Sequence, residues 1–526
     1  MQCRKSRLIV SRTALLMPEK IHSTFHQTSK RSRDETDSIV AMNTRNHTPA
    51  FPPAVVRVLA TVSVAFVVTQ LDVTIVNIAL PDIGSRLHAS VSALQWIVDA
   101  YTLAFAVLML SAGVLGDRFG ARRMFAAGLV LFAAASLACG LAPNAVLLVA
   151  ARAAQGVSAA AMLPNSLALL NRACRHDPHL RARAVGLWTA AGAISIAAGP
   201  VLGGILIATW GWRSIFLVNV PLCIAGLVAV PLWVPRRDDN DSHNDSNAAA
   251  HRPSAIAIDL PGQCIAIVAL TTFTGAVIEM RPLGAGHPGI IGALAASVLA
   301  AIAFVAVEAK SRAPMVPLAL LRDTTFSAAV VFGICVNMAY YGMIFVLSLY
   351  LQRVHGDTPL QAGLAFLPLT GGFLVSNVVS GWVVARYGPR RPMMIGAAIG
   401  MLGYGLLHAT RADTATTALL LPFLLIPAGM GLAVPAMTTA VLASVEHKRA
   451  GTASAVLNTA RQAGGAVGVA AFGALANAGP ASSVVSGLQL SAAIAAGLLL
   501  LGLILASRVH PSSHAHERAQ TEKAIR

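Results

Sequence analysis

The stretch GVLGDRFGARR at 113–123 decides the fold, because it places three glycines, an aspartate and three arginines between two long apolar runs. Much of it returns 268 positions later as GWVVARYGPRR at 381–391. Five residues agree in the two copies: Gly113, Arg118, Gly120, Arg122 and Arg123 correspond to Gly381, Arg386, Gly388, Arg390 and Arg391. Asp117 has no counterpart, since Ala385 takes its place. The repeat predicts an internal duplication in which each copy is a short basic turn between two helices.

The composition is that of a membrane protein. Of the 526 residues, 56% are hydrophobic and only 12% are charged, whereas soluble proteins carry about 25% charged residues. The net charge of +17 lies in short loops and tails, where it sets membrane orientation rather than binding nucleic acid. The six cysteines form no CxxC pair, so neither a disulfide framework nor a metal site is expected.

Apolar runs of about twenty residues can cross a bilayer as helices. The sequence predicts an all-α polytopic membrane protein with fourteen such spans: 54–80, 93–116, 124–142, 145–170, 184–208, 214–234, 260–280, 289–309, 326–351, 360–385, 392–410, 416–442, 452–477 and 488–507. Arginine and lysine concentrate in alternate loops, which the positive-inside rule assigns to the cytoplasm. With an even number of spans, both termini are expected there too.

The predicted organisation is two six-helix halves with two additional helices between them. Parallel repeats of this kind are a transporter plan with the substrate cavity between the halves. The first residues are basic and polar and form a disordered cytoplasmic tail or an over-long start before Met42, with a transit peptide as the alternative. The boundaries are 1–52 for the tail, 54–234 for the N-terminal half, 235–258 for a cytoplasmic linker, 260–309 for the extra helices, 326–507 for the C-terminal half and 508–526 for a second tail.

Three ionisable residues of the predicted N-terminal half lie well inside apolar runs, where charge is costly and usually functional. Asp72 lies deep in the first predicted helix, and a low-dielectric cavity disfavours its charged form, so it can exchange protons. Arg152 in the fourth helix cannot lose its proton and needs an anion, a carbonyl or water. Asp72 and Asp99 are its candidate partners, and the three residues are predicted to couple proton movement. The alternatives are a structural Asp72 and an interfacial Asp99.

Two further groups of residues are candidates for the cavity. The fifth helix, GAISIAAGPVLGGIL, predicts a bent, closely packed helix that seals one side of the cavity, because proline removes a backbone hydrogen bond and glycine admits a neighbour. Its key residues are Gly192, Gly199, Pro200, Gly203 and Gly204. The cavity candidates in the second half, for which helix–helix hydrogen bonding is the competing role, are Asn337, Tyr340, Tyr341 and Arg461.

No enzyme motif is present. The sequence lacks a G-x-x-x-x-G-K-[ST] phosphate loop, an H-E-x-x-H pair and a G-x-S-x-G element. We therefore expect neither catalysis, nor ATP-driven pumping, nor a bound cofactor.

These motifs together resemble the major facilitator superfamily, in its fourteen-helix drug:proton antiporter branch, from about residue 54 to 507. GVLGDRFGARR is similar to the family's loop motif between helices two and three, and LDVTIVNIALP at 71–81 to the first-helix motif of the branch. VAARAAQG, with Arg152 and Gly156, is similar to the fourth-helix motif, and GPVLGG to the antiporter signature of helix five. WGWRSIFLVNVP at 210–221 also resembles the branch.

The resemblance implies a multidrug efflux permease of the cytoplasmic membrane. It would export lipophilic or cationic small molecules against inward proton flow, with the proton gradient as its energy source. By analogy, Asp72 would be the coupling carboxylate and Arg152 part of the proton relay. A conformational latch would hold the outward-facing state, formed by Gly113, Asp117, Arg118, Gly120, Arg122 and Arg123. The second-half loop departs from the pattern, because Ala385 stands in for the acid.

Two other functions stay open at this stage. One is a uniporter or symporter for a metabolite or siderophore on the same fold. The other is a membrane sensor that binds a ligand without moving it. A periplasmic adaptor protein is an open partner, and the substrate is not encoded in any local motif, because pocket side chains in such transporters come from many helices.

Overall fold

The computed structural model describes residues 51–175, 177–235, 259–311, 314, 316–445, 450–476 and 481–509. These residues form helices joined by short turns. The segments of 18 residues or more are α1 (Pro53–Arg86), α2 (Val91–Phe119), α3 (Ala121–Leu141), α4 (Ala145–Ala173), α5 (Pro178–Trp210), α6 (Ser214–Trp233), α7 (Leu260–Leu283), α8 (Pro288–Lys310), α9 (Thr324–Val354), α10 (Pro359–Tyr387), α11 (Arg390–Leu407), α12 (Thr416–Ala443), α13 (Ala450–Leu475) and α14 (Ala481–Ser507). Residues 1–50 and 510–526 of the predicted tails, and 236–258 of the predicted linker, lie outside the described residues.

Twelve of these segments are long and apolar enough to cross a membrane. The exceptions are α11 and α13, so the predicted count of fourteen spans is not confirmed by length and composition. Two arginines open α11, which is only 18 residues long. The sequence of α13 includes Asn458, Arg461 and Gln462. Polar residues inside a helix lower its apolar character, which suits burial among other helices rather than contact with lipid.

The repeated basic turn has the same backbone form in both copies. Gly120 ends α2 with φ 94°, and α3 begins at the next residue. Gly388 ends α10 with φ 72°, and α11 begins at Arg390. Positive φ is a conformation that glycine adopts without steric cost. Glycine therefore allows each pair of helices to reverse direction within one or two residues.

The helices pack as two groups that meet along two seams. In the first group α4 packs against α2 and α3; in the second, α9 packs against α13 and α14, and α12 against α10 and α11. The groups meet where α2 contacts α13 and where α5 contacts α10. The additional helix α7 packs against both sides of the α2–α13 seam. Its Glu279 accepts a hydrogen bond from Trp96 Nε1 at 3.3 Å, and its Arg281 Nε donates to the Ala474 carbonyl at 3.2 Å.

The two ends of the interface between the groups differ. We call the end with the arginine turns at 118–123 and 386–391 the basic-loop end. At the opposite end, Gln352 Nε2 donates to the Ile78 carbonyl at 3.0 Å, and Ser348 Oγ donates to the Asn77 carbonyl. Gln95 Nε2 joins α2 to α13 through the Ala470 carbonyl at 2.7 Å. These contacts close the interface at the end opposite the basic loops.

Toward the basic-loop end the same helices separate. A Cβ built on Gly186 of α5 would have no heavy atom within 4 Å, and the same holds for Gly371 of α10. In α13, the side chains from Asn458 to Ala463 are all partly exposed, whereas Gly464, Gly465 and Ala466 are buried. The described residues are therefore packed more loosely toward the basic-loop end, which we call the open end of the interface.

Candidate functional site

A fully buried ion pair lies at the centre of the first group of helices. Arg152 of α4 donates through Nη1 to Asp72 Oδ2 of α1, and the two side chains are 1% and 0% exposed. Arg152 Nε also donates to the Ile97 carbonyl of α2 at 2.9 Å. Removing two charges from water is costly unless they pair with good geometry and their remaining hydrogen-bonding atoms are satisfied. The pair thus links three helices through one neutralised charge.

Two neutral amides complete the surroundings of Asp72. Asn219 Nδ2 of α6 lies 3.2 Å from Asp72 Oδ1, and Gln155 Nε2 lies 3.4 Å from the same oxygen. The Gln155 amide also accepts from Arg152 Nη1 at 2.9 Å and donates to Ser136 Oγ at 2.8 Å. Both carboxylate oxygens of Asp72 therefore accept from nitrogen donors, and Gln155 ties the pair to α3.

Aromatic rings cover the guanidinium. The Arg152 Cζ atom lies 4.4 Å from the centre of the Tyr101 ring and 5.9 Å from that of Phe216. A guanidinium over a ring face is stabilised by about 0.5–2 kcal/mol, with the upper value at desolvated sites. The Tyr101 hydroxyl donates to the Thr69 carbonyl at 3.4 Å. The rings keep water from the pair and hold Arg152 against Asp72.

Asp99 has a different environment from Asp72. It is 0% exposed, and neither of its carboxylate oxygens has a hydrogen-bond partner among the described residues. It follows Gln95 by one helical turn, and Gln95 bonds α13. Of the two predicted partners of Arg152, the structure pairs Asp72 and leaves Asp99 apart. A buried carboxyl without donors is costly when charged, so the surroundings of Asp99 do not stabilise an anion as those of Asp72 do.

Gln155 and Asn219 belong to the site although they were not among the predicted residues. Gln155 lies three positions after Arg152, and residues three apart share a helix face. That spacing could have identified it. Asn219 lies in WGWRSIFLVNVP, within α6, and no spacing relates it to Asp72. Only the packing of α6 against the pair shows its role.

The glycines of α5 lie where two helices approach it. A Cβ on Gly203 would lie 2.8 Å from Ile75 Cγ1 of α1, and Gly192 and Gly199 face Phe66 and Thr74 of the same helix. A Cβ on Gly204 would instead lie 2.7 Å from Leu360 Cα of α10. Pro200 lies inside α5, and its carbonyl faces Gly363 of α10. The glycine cluster therefore contacts both α1 and α10 at the closed end of the interface.

The predicted latch residues form no ion pair with one another or with other described residues. Asp117, Arg118 and Arg123 are exposed. Arg122 Nη2 lies 3.4 Å from the Val230 carbonyl of α6, which is a long contact. Gly113 faces Pro164 of α4 at 3.8 Å, and Gly120 supplies the turn. The acid and the arginines thus lie at the open end without a partner across it.

The cavity candidates of the second half cluster on α9 and α13. Arg461 Nε donates to Asn337 Oδ1 at 3.2 Å. The Tyr340 and Tyr341 rings lie 5.3 Å apart in a T-shaped arrangement. A small cavity separates these helices from α1 and α2, lined by Val73, Asn77, Val98, Thr102, Tyr341, Gln462, Gly465 and Val469. Tyr341 therefore faces the space between the two groups of helices.

Comparison with known proteins agrees with this architecture. Residues 62–469 match the family model described as Major Facilitator Superfamily. The chain is 37% identical over 406 residues to the multidrug resistance protein Stp of Mycobacterium tuberculosis (strain CDC 1551 / Oshkosh), which covers 77% of this chain and 73% of that protein. It is 33% identical over 467 residues to the methylenomycin A resistance protein of Bacillus subtilis (strain 168), which covers 88% and 97%.

A solved structure shows the same fold. A bacterial homologue of the human lysosomal transporter Spinster, in an inward-facing and occupied conformation, superposes with a TM-score of 0.61 at 16% identity, over 88% of this chain and 98% of that one. The family match and the similar resistance proteins identify a membrane transporter rather than an enzyme. The chain belongs to the Major Facilitator Superfamily. The predicted family is confirmed.

Proposed function

We propose that this protein is a proton-coupled antiporter that exports drug-like small molecules across the cytoplasmic membrane by alternating access. The names of the similar proteins, which refer to multidrug and methylenomycin A resistance, support export. The positive-inside rule places the basic loops in the cytoplasm. The interface that opens toward these loops is then an inward-facing cavity, from which a cytoplasmic substrate would be loaded.

The buried pair of Asp72 and Arg152 is the observation that carries this proposal. As an ion pair it is neutral and closes the packing of α1, α2 and α4. Protonation of Asp72 removes the anion and leaves a permanent cation, which is unstable away from water. The protonated state therefore favours a conformation in which Arg152 is hydrated or bound elsewhere. This gives a two-state element whose equilibrium depends on one proton.

The energy of one proton is sufficient for the task. Movement of one charge across about 100 mV releases roughly 2.3 kcal/mol, to which a pH gradient adds. Tenfold accumulation of a neutral compound on the far side costs about 1.4 kcal/mol. One proton per substrate molecule can therefore support export.

We also propose that α11 and α13 cross the membrane, which gives fourteen spans and cytoplasmic termini. Helix α11 starts at the basic turn after Gly388, and the chain then reaches Arg411. The carbonyl of Arg411 accepts a hydrogen bond from Tyr350 Oη at 2.7 Å. Tyr350 lies near Gln352, which contacts α1 at the closed end. An 18-residue helix rises about 27 Å, close to the 30 Å hydrocarbon core. Similarly, α13 ends near Ala474, which accepts from Arg281 at the closed end.

The latch is assigned to the outward-facing state. In the conformation described here the basic-loop end is open, and Asp117 has no ionic partner among the described residues. Closure of that end would bring the second half toward it. A carboxylate there can pair with an arginine or a helix N-terminus.

The decisive experiment compares Asp72→Asn with Asp82→Asn on the same helix. Among the described residues, Asp82 forms an ion pair with Arg86 near the surface, at 3.5 Å. The Asp82→Asn substitution therefore removes the same charge as Asp72→Asn but leaves the buried pair of Asp72 and Arg152 intact. Ethidium efflux from cells should fall at least tenfold with Asp72→Asn and stay near wild type with Asp82→Asn. Substrate-induced proton release from proteoliposomes should disappear with the first variant only.

Each contrary outcome identifies another function. Undiminished, uncoupler-sensitive efflux by Asp72→Asn at equal expression contradicts the coupling role of this residue. Dye movement without proton exchange indicates a uniporter, and proton uptake together with substrate indicates a symporter. Dye binding without any movement indicates a membrane sensor.

A further inference from the structure

Arg461 is a cation that the second half of the protein does not neutralise. It lies on α13, and its only hydrogen bond to a described residue runs from Nε to Asn337 Oδ1 at 3.2 Å. No described carboxylate lies within 4 Å of Arg461. The two ion pairs among the described residues involve Arg86 and Arg152 instead. A guanidinium has five N–H donors and keeps its charge in proteins. Its two Nη groups are thus available to a ligand.

The side chain of Arg461 is accessible from the open part of the interface. It is partly exposed, as are its neighbours from Asn458 to Ala463, whereas the next turn is buried. Helices α2, α7, α9, α12 and α14 contact α13, and Arg461 keeps partial exposure among them. Gln462, the adjacent residue, lines the cavity between the groups of helices.

Aromatic side chains follow Asn337, the acceptor of this cation, by one turn of α9. The Tyr340 ring lies 5.1 Å from the Phe373 ring and 5.3 Å from the Tyr341 ring, both in T-shaped arrangements. The hydroxyl of Tyr340, a residue that is only 7% exposed, has no hydrogen-bond partner among the described residues. Such an unpartnered polar atom is unusual in a protein interior and calls for a ligand or water. The cluster thus combines a cation, a free hydroxyl and flat apolar surfaces.

Asp99 does not neutralise Arg461. The antiparallel pairing of α2 and α13 is set by Gln95, which donates to the carbonyls of Val469 and Ala470. With a rise of 1.5 Å per residue, Asp99 and Arg461 differ by about 6 Å in depth. They form no ion pair. No described carboxylate therefore balances the charge of Arg461, which leaves its guanidinium open to an anionic ligand.

We propose that Arg461, with Tyr340 and Tyr341, binds an organic anion: a carboxylate or an acidic phenol or enol oxygen attached to a flat apolar body. The guanidinium fork matches two oxygens of such a group, and the aromatic rings contact the body. This inference rests on the proposed export and adds organic anions to the lipophilic cations that the sequence led us to expect as substrates. Asn337 positions the guanidinium, because it is the acceptor that holds Nε.

Two dyes with the same xanthene body and opposite charge test the proposal. Fluorescein is anionic, and rhodamine 123 is cationic. Equilibrium binding to the purified full-length chain in detergent, followed by fluorescence anisotropy, needs neither a proton gradient nor transport. We expect fluorescein to bind at least tenfold more tightly than rhodamine 123.

Substitutions at the site should change the binding of one dye only. Hydrogen bonds to charged groups contribute about 1.5–3 kcal/mol, so Arg461→Gln should weaken fluorescein binding about 10- to 100-fold without weakening rhodamine 123 binding. Asn337→Asp keeps the side-chain shape but supplies an internal anion to Arg461, so it should have the same effect even if the first variant folds poorly. Arg411→Gln, which removes an exposed charge at a distant turn, should leave both affinities unchanged.

The outcomes separate this inference from the proposed function. Absence of fluorescein binding to the wild-type chain, or equal loss of both dyes in Arg461→Gln and Asn337→Asp, overturns the anion site. Fluorescein efflux that depends on Asp72 but not on Arg461 overturns it as well and leaves the antiporter proposal intact. Arg461-dependent fluorescein binding without proton-coupled movement supports the site and contradicts antiport.

Discussion

Two arginines within the helical bundle, Arg152 and Arg461, differ in how their charge is balanced. Arg152 is 1% exposed and bonds a carboxylate, a carbonyl and an amide, under two aromatic rings. Arg461 is partly exposed and has one neutral acceptor. Both are permanent cations inside a membrane protein, where such charges are rare and functional. The same residue type therefore occurs once with its partner built in and once without one.

The difference indicates which arginine responds to a proton and which to a ligand. Under the proposed function, the charge balance of Arg152 changes when its acidic partner, Asp72, is protonated. A cation without an acid has no such partner and gains most from an anion that enters the cavity. The predictions below test this division, beginning with the largest expected effect.

The variant Asp72→Asn should cost about 3–5 kcal/mol of folding free energy, because it leaves the charge of Arg152 buried without a counterion. Arg461→Gln breaks no ion pair and should cost only about 1 kcal/mol, the value of one hydrogen bond. Thermal unfolding in detergent measures both. The double variant Asp72→Asn with Arg152→Gln serves as control and should be more stable than Asp72→Asn. Similar losses for Asp72→Asn and Arg461→Gln would remove the distinction between the two arginines.

Gln155→Leu should cost about 1–3 kcal/mol, since it leaves polar groups around the buried pair without partners. The amide of Gln155 bonds Arg152 and Ser136. Gln462→Leu makes the same chemical change beside Arg461, where the side chain lines the cavity, and should be nearly neutral for stability. Melting temperatures of the two variants make the comparison, and a greater loss for Gln462→Leu would contradict it.

Gly204→Ala should open the closed end of the interface, which separates Arg461 from the far side of the membrane. A Cβ there would lie 2.7 Å from Leu360 Cα, and backbone cannot rotate away as a side chain can. Gly186→Ala on the same helix meets no atom within 4 Å and is the matched control. With Ser348→Cys in a cysteine-free background, a membrane-impermeant thiol reagent applied outside should label Gly204→Ala several-fold faster than Gly186→Ala. Equal rates would show that α5 and α10 do not form the gate.

Asp117→Asn should have the smallest effect, a several-fold slower transport cycle with unchanged substrate affinity and stability. Exposed ionic contacts contribute up to about 1 kcal/mol, and Asp117 is exposed in the conformation described here. Ala385→Asp, which supplies the acid that the second copy lacks, is the companion variant and should alter the rate without altering binding. Turnover in proteoliposomes measures both. A normal rate in Asp117→Asn would reduce the basic turn to a signal for membrane orientation.

Local patterns predicted much of the fold. Apolar runs marked the helices, and their bounds shift by only a few residues: the first predicted span, 54–80, corresponds to α1 at Pro53–Arg86, which continues through Pro81. The helix extends because its later residues pack against neighbours, including Ile83 and Gly84, which are buried. For α11 and α13, the apolar pattern alone is weak. Their position follows from contacts with other helices, and an average of hydropathy over neighbouring residues contains no information on such contacts.

The candidate site was predicted in part. Asp72 and Arg152 were identifiable because charge inside an apolar run is costly. The sequence did not show whether Asp72 or Asp99 is the partner of Arg152. Both acids lie at comparable depth on helices next to α4. Side-chain direction decides it, and that direction depends on how α1, α2 and α4 are rotated about their axes. Likewise, the sequence did not show that Arg461 has no described carboxylate beside it. The packing of the helices around α13 decides this.

The sequence by itself determined the class and the repeat of this protein and predicted its orientation. These features are visible in the sequence without knowledge of tertiary contacts. The duplicated glycine–arginine turn and the loop charges each involve a few neighbouring residues, and the composition is a property of the whole chain. Only the tertiary structure decided which charges meet and which end of the interface is closed. Asp72 and Arg152 lie 80 positions apart, and the helices that carry Gly204 and Leu360 belong to different halves. Those relations arise from helix packing, which no local pattern encodes.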